Sequence, residues 1–244
     1  MLKHFLDTVD TIDNGLGFSS FDMTHLAWLV GGLLFTIILS VIYRRSDTAA
    51  RRAIRIALTA LLLADELFKH AMLIIGGNWS AGYLPLHLCS INIFMITYYT
   101  FKPSQWLGNY LYTVCIPGAL AALLFPTWTE LPFGNFMHLH SFTVHILLAA
   151  FPIIVMAGGD IKRDYKQIPK CLLLLAVCAL PILVINLVLD TNFMFLMYAE
   201  PGNPLYWFET AFGSHLSGFP VLITVVLLVM HFPIPKKKVK VNGI

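Results

Sequence analysis

Apolar and polar positions fall in blocks along this 244-residue chain rather than along one face of an amphipathic helix. Apolar stretches close to the ~20 residues that cross a hydrocarbon core are separated by short clusters of charge, proline and glycine. The blocks predict seven spans, at about 22–43, 52–75, 84–101, 105–124, 138–157, 169–190 and 206–231. No gap between them holds a soluble domain of even ~50 residues. The expected fold class is therefore all-α: one polytopic transmembrane bundle over 22–231, with an interfacial segment at 1–21 and a basic tail at 232–244. Residues 1–21 carry Lys3, Asp7, Asp10 and Asp13 and lack a run of small residues at which a signal peptide would be cut. An amphipathic segment lying on the membrane surface fits them better.

Composition reinforces the pattern. The chain is 58% hydrophobic and 12% charged, with a mean hydropathy of +0.76, whereas a soluble domain carries about 25% charged residues. A multi-pass protein of a cell membrane, the bacterial cytoplasmic membrane by the resemblance given below, is expected, with no nucleic-acid partner. Cys89, Cys115, Cys171 and Cys178 sit in or beside apolar segments without a Cys-x-x-Cys spacing, so neither a thiolate zinc site nor a disulfide framework is indicated.

Charge placement says more than the net +3. With seven crossings, one side receives 14 of the 16 basic residues: Arg44, Arg45, Arg51, Arg52 and Arg55, then Lys102, then Lys162, Arg163, Lys166 and Lys170, then Lys236, Lys237, Lys238 and Lys240. Only Lys3 and Lys69 fall elsewhere. The positive-inside rule then sets the amino terminus outside and the carboxyl terminus in the cytoplasm. The tail PIPKKKVKVNG is expected to lie against anionic inner-leaflet lipids. Trp79, Trp128 and Tyr198, in the outer loops, suit an interfacial aromatic belt. No internal repeat of the kind that builds inverted transporter halves is visible.

Ionisable residues at the bilayer centre cost at least ~2.5–3.5 kcal/mol on insertion scales, and the second span contains Asp65, Glu66, Lys69 and His70. Asp65 and Lys69 are spaced i,i+4, as are Glu66 and His70, so each pair is expected to meet along the helix. A shielded salt-bridge ladder and a functional polar core are both compatible with that spacing. His70, His87, His138, His140, His145 and His215 all fall in the outward half or its rim. His138 and His140 read as rim residues. His145, deeper in an apolar stretch, calls for a partner across the bundle, and His215 lies in a Gly/Ser-rich stretch suited to close helix approach.

Chemistry concentrates in LPLHLCSIN, residues 84–92. Pro85 suits the first turn of a helix beginning at or just after Leu84, which would put Cys89 in the second turn, near the helix's positive end, where thiolate is favoured. Two residues of a regular helix point ~200° apart, so His87 is expected to face away from Cys89 and the base to come from another span. A Cys–His pair in a lipid-facing pocket supports acyl transfer through a thioester, with Asn92 one turn on to polarise the carbonyl oxygen.

The stretches GNWSAGYLPLHLCSIN, LLFPTWTELPFGNFMHLHSFTVH and NLVLDTNFMFLMYAEPGNPL together resemble the YwaF-like family of bacterial integral membrane proteins, which is grouped with a vertebrate multi-pass acyltransferase that moves fatty acyl chains between phospholipids. The likeness covers roughly residues 60–225. It implies Cys89 as the acyl-accepting cysteine and His145 as its partner, with Glu66, Asn186 and Asn192 at recurring polar positions. Phe193 stands where the family's third stretch usually has tyrosine.

The leading expectation is thus a cysteine-dependent phospholipid acyltransferase or transacylase built from Cys89, His145 and Glu66, with His87, Asn92, Asn186, Asn192 and His215 as substrate-binding positions and no metal or cofactor. Glu66 would orient or charge His145. Membrane phospholipids would be both acyl donor and acceptor. Two alternatives stay open: a zinc-dependent lipid amidase or esterase held by His87, His145 and His215 with Glu66 activating water, and a transporter relaying protons or ions through Asp65, Glu66, Lys69 and His70. A purely structural or partner-binding membrane protein is the blandest.

Overall fold

The computed structural model describes residues 3–13 and 15–232. The basic tail, for which lipid contact is expected, lies outside the described residues from position 233 onward. Among the described residues every regular element is helical: α1 (Met23–Arg45), α2 (Thr48–Ile75), α3 (Leu88–Phe101), α4 (Gln105–Tyr110), α5 (Ile116–Leu124), α6 (Phe136–Ala157), α7 (Ile168–Leu189), α8 (Pro204–Phe212) and α9 (Gly218–His231). A π turn, Leu111–Cys115, joins α4 to α5 without a break in direction of the chain. Starts are set by side-chain caps: Asp47 accepts from the Ala50 amide before α2, and Asn135 from the Met137 and His138 amides before α6. Arg44 and Arg45 close α1 at its negative end.

Helix α6 is the hub, packing on α1, α2, α3 and α5. Most of its residues are buried, whereas α1 and α7 are largely exposed. Leu33 and Ile38 of α1, and Leu180 and Val188 of α7, therefore point outward, an apolar surface that lipid tolerates and water does not.

Among the described residues four helices are long and apolar enough to cross a membrane: α1, the continuous Gln105–Leu124 helix, α6, and the helix containing α7; α8 and α9 would add a fifth if taken together. The expectation of seven is thus met only in part, for three physical reasons. Helix α2 has 28 residues but carries the charges noted above. Helix α3 has 14 residues, about 21 Å at 1.5 Å per residue. The expected 206–231 span is bent by 117° between Phe212 and His215, where Gly213 takes φ +71 and ends α8.

Loops that share a charge character also share an end of the bundle. At one end the α1–α2, α3–α4 and α6–α7 connections meet: Arg51 Nη1 donates to the Gly158 carbonyl (2.9 Å) and Asp160 Oδ1 (3.0 Å), Gln105 Nε2 donates to the Asp160 carbonyl (2.7 Å), and the Lys162 amide donates to Gln105 Oε1 (3.0 Å). Tyr43, fully buried, donates to Asp160 Oδ2 at 2.6 Å and accepts from Arg55 Nη1 at 2.6 Å. Gly158 is required there, since a Cβ would stand 2.5 Å from the Tyr43 ring. At the opposite end the amino-terminal segment is sewn to the α2–α3 and α5–α6 connections. Asn135 Nδ2 donates to the carbonyls of His4 and Asp7 (both 2.8 Å), Asn78 Nδ2 to that of Leu6 (2.9 Å), and the Phe18 amide to that of Thr129 (2.8 Å).

Candidate functional site

The segment Leu84–Leu86 does not open a helix. Leu84, ahead of Pro85, is held in extended conformation (φ −53, ψ 147), and α3 begins only at Leu88 with His87 as its cap residue (φ −66, ψ 155). Cys89 is therefore in the first turn rather than the second. His87 stands outside the helix, so the angular argument that turned it away from Cys89 does not apply: both residues line one cavity. No side chain caps α3, which leaves its first amides, that of Cys89 among them, without an intrahelical acceptor and sets the helix's positive end at the thiol.

That cavity, about 620 Å³, is walled largely by aliphatic and aromatic side chains. Its polar positions include His87, Cys89, Asn92, Thr113 and His145. Asn92 is 2% exposed and its Oδ1 is buried with no hydrogen-bond partner among the described residues. The wall bearing Thr113 and Pro117 includes the π turn. Pro117 has no N–H to give back to Thr113 and its ring would collide with that carbonyl in a regular helix, and the wider turn at 111–115 relieves the conflict.

His145 is held by its own helix and by a loop. Its Nδ1 lies 2.7 Å from the Ser141 carbonyl; a carbonyl only accepts, so the Nδ1 proton is donated there and Nε2 of the neutral ring keeps its lone pair. Trp128 stacks on the ring at 5.5 Å with planes 4° apart. Trp128, expected as a belt residue, is in fact 7% exposed. The partner that His145 calls for thus comes from Ser141 and Trp128. Among the described residues no hydrogen bond joins Cys89 to His145; they meet as residues of one cavity.

Glu66 takes other partners than His145. Its Oε1 accepts from Lys69 Nζ (2.6 Å) and Ser90 Oγ (3.3 Å), with His70 Nε2 at 3.5 Å, and its Oε2 lies 3.9 Å from His140 Nε2. The expected Asp65–Lys69 pair is replaced: Asp65 faces α6, where its Oδ2 is 3.0 Å from His140 Nδ1 and its Oδ1 accepts from Thr143 Oγ1 at 3.2 Å. Lys69 turns instead to Glu66 at i,i+3. His138 and His140 are interior rather than rim residues, at 0% and 7% exposure. His138 is boxed by Trp28, whose Nε1 donates to its Nε2 at 3.0 Å, and by the Leu131 carbonyl at 3.0 Å from its Nδ1.

The remaining sequence candidates shape a loop over the cavity. Asn186 is 1% exposed; its Oδ1 accepts from the Phe193 amide (2.8 Å) and Thr191 Oγ1 (2.9 Å) and its Nδ2 donates to the Phe193 carbonyl (3.0 Å). Asn192 Oδ1 accepts from the Met197 and Tyr198 amides at 3.1 and 3.3 Å. Just after Asn192, Met194 and Phe195 adopt φ +59 and +54, a left-handed conformation unusual for non-glycine residues. Met194, Phe195 and Leu196 thereby become cavity wall. The Met194 amide donates to His87 Nδ1 at 3.4 Å, and Phe193 meets the His87 ring edge-on at 5.1 Å. Phe193 is fully buried. His215 sits behind this loop, its Nε2 3.4 Å from the Leu196 carbonyl and its Nδ1 3.7 Å from Glu209 Oε2.

Among the described residues no three His, Cys, Asp or Glu side chains gather where they would hold a metal ion, so His87, His145 and His215 do not assemble the tridentate set that a zinc enzyme of this design needs. Sequence reasoning missed Trp128 and the Ser141 carbonyl as the groups that hold His145, and Thr113 with its π turn. Pro117 was the available signal for the last. The chain matches no curated protein and no solved structure. A family model does match, across residues 18–234, and the apolar bundle agrees with it: the chain belongs to the TMEM164 family, a family of membrane proteins.

Proposed function

We propose that this membrane protein is a cysteine-dependent phospholipid acyltransferase or transacylase, seated in a bacterial cytoplasmic membrane with seven crossings and its amino terminus outside. The observation that carries the reading is the meeting, in one apolar cavity of about 620 Å³, of a cysteine at an uncapped helix start and a histidine whose Nε2 is left free by its Nδ1 bond to Ser141. In the reaction, His145 Nε2 takes the Cys89 thiol proton and the sulfur attacks the ester carbonyl carbon of a phospholipid. The developing oxyanion meets the first amides of α3 and the Asn92 Nδ2 group. Collapse breaks the carbon–oxygen bond, and the departing lysophospholipid oxygen receives the proton held on His145. A second lipid hydroxyl, deprotonated in turn by His145, attacks the thioester; the sulfur leaves and recovers the proton. The apolar wall accepts the acyl chain.

Glu66 supports this site at one remove. By accepting from Ser90, the neighbour of Cys89, it fixes the first turn of α3, and it neutralises Lys69 nearby. The decisive experiment incubates purified protein with a phospholipid carrying one labelled acyl chain and looks for that chain on Cys89 by peptide mass spectrometry, with release by hydroxylamine. A labelled thioester on Cys89 is expected. Full transfer activity in Cys89→Ala would overturn the reading.

A further inference from the structure

A second cavity, of about 370 Å³, opens at the other end of α2. Thr48, Arg51 and Arg55 wall it from α2, Ser104 and Gln105 from the start of α4, and Asp160 from the α6–α7 loop. Two guanidinium cations meet one carboxylate there, which leaves a surplus positive charge in a recess. Asp160 spends its oxygens on the lock itself: Oδ1 accepts from Arg51 Nη1 at 3.0 Å, and Oδ2 from Tyr43 at 2.6 Å and Arg55 Nη1 at 3.1 Å. Arg51 is further pinned by the carbonyls of Tyr43, Ser46 and Gly158 at 2.9–3.1 Å, so its charge is fixed on the wall rather than swung out to solvent. Two further donors of the wall, Arg55 Nε and Ser104 Oγ, are buried with no hydrogen-bond partner among the described residues. Buried donors in native proteins are ordinarily satisfied, and a cation surplus with spare donors is the chemistry that receives an anion.

We propose that this cavity binds a phosphate group, as a phosphomonoester or phosphodiester. A tetrahedral anion accepts from several directions at once, which suits donors converging from α2 and α4, and arginine forks match phosphate oxygens. Lys102 and Lys162 stand two residues from Ser104 and Asp160 in the sequence, so the mouth lies in a positive field that concentrates anions. The site is separate from the Cys89 cavity and does not rest on the acyl-transfer reading.

The phosphate belongs either to a membrane lipid headgroup or to a soluble compound, and two probes separate these sources. Full-length protein in maltoside micelles and phosphate-free buffer is titrated with glycerol 3-phosphate, or with dioleoyl phosphatidic acid in mixed micelles, while thermal unfolding is followed. Dioleoylglycerol is the phosphate-free control. The apparent Tm should rise with at least one phosphate and not with the control. A response to phosphatidic acid alone assigns a lipid headgroup; a response to glycerol 3-phosphate shows that the headgroup chemistry suffices. Ser104→Leu fills the recess without touching either ion pair and should weaken the response ~10-fold or more, the loss expected when a hydrogen bond to a charged group goes. Arg55→Lys, which keeps the charge but not the fork, should weaken it as well. Absence of a shift with both phosphates in the wild type, or an undiminished shift in both variants, would overturn the proposal.

Discussion

Helix α2 carries charge at both ends and uses it in opposite ways. At the Arg51 and Arg55 end the partners come from other elements, Tyr43 near the end of α1 and Asp160 far along the chain beyond α6, and the result is a fastener joining three connections at one end of the bundle. At the Asp65 and Glu66 end the closest pair, Glu66 with Lys69, is local, and the cluster borders the Cys89 cavity through Ser90. One end spends Asp160, Tyr43 and Arg51 on holding the fold and keeps only Arg55 Nε and Ser104 Oγ spare; the other leaves Asn92 and His145 lining the larger cavity. Between them Leu58, Leu62, Ile93, Ile96 and Phe151 form an apolar collar in which Thr59 and Thr100 pair with each other at 2.8 Å.

The comparison predicts that variants at the two ends fail differently. The largest effect belongs to the cavity: Cys89→Ala should abolish acyl transfer and His145→Gln should lower it by ~10²–10⁴-fold, the contribution of a positioned general base, with thermal unfolding unchanged. Radiolabelled acyl exchange alongside unfolding curves checks both, and a parallel loss of stability would erase the distinction. Next, Asp160→Asn should destabilise by about 3 kcal/mol, near the lower end for breaking a buried ion pair because the Asp160 side chain is 28% exposed, while turnover per folded molecule stays at the wild-type level. Denaturant unfolding in detergent measures the first and active-site titration the second.

Asn186→Ala sharpens the cavity side. Removing a buried side chain that makes three hydrogen bonds should cost about 2 kcal/mol and release the left-handed turn at Met194, so that KM for lipid rises more than kcat falls; steady-state kinetics separates the two. The smallest effect is expected from Tyr43→Phe, about 1 kcal/mol for one hydroxyl in the fastener, with no change in activity. A Tyr43→Phe protein that lost activity would show that the fastener reaches the cavity after all.

Asp65, Glu66, Lys69 and His70 were legible as a polar patch, because charge in an apolar run stands out, but their pairing was not. Spacing i,i+4 says which side chains are neighbours on a helix, and the arrival of His140 and Thr143 from α6 decides which neighbour wins. Cys89 and His145 were legible as a candidate pair through resemblance. The place of His87 was not, because it depends on where α3 begins, and Pro85 marks an extended entry as readily as a first turn. Asn186 and Asn192 stood out as polar groups in an oily stretch, and their work, folding a loop over the cavity, needed the loop itself.

By itself the sequence determined that the chain is helical and membrane-embedded, and that its basic loops gather at one end, since apolar run length and charge are properties of each segment regardless of its neighbours. Tertiary structure decided which spans are broken or short, which carboxylate meets which cation, and that His87, Cys89, Asn92 and His145 share one cavity. Those outcomes depend on competition between partners brought together from distant segments, and that competition is settled by packing.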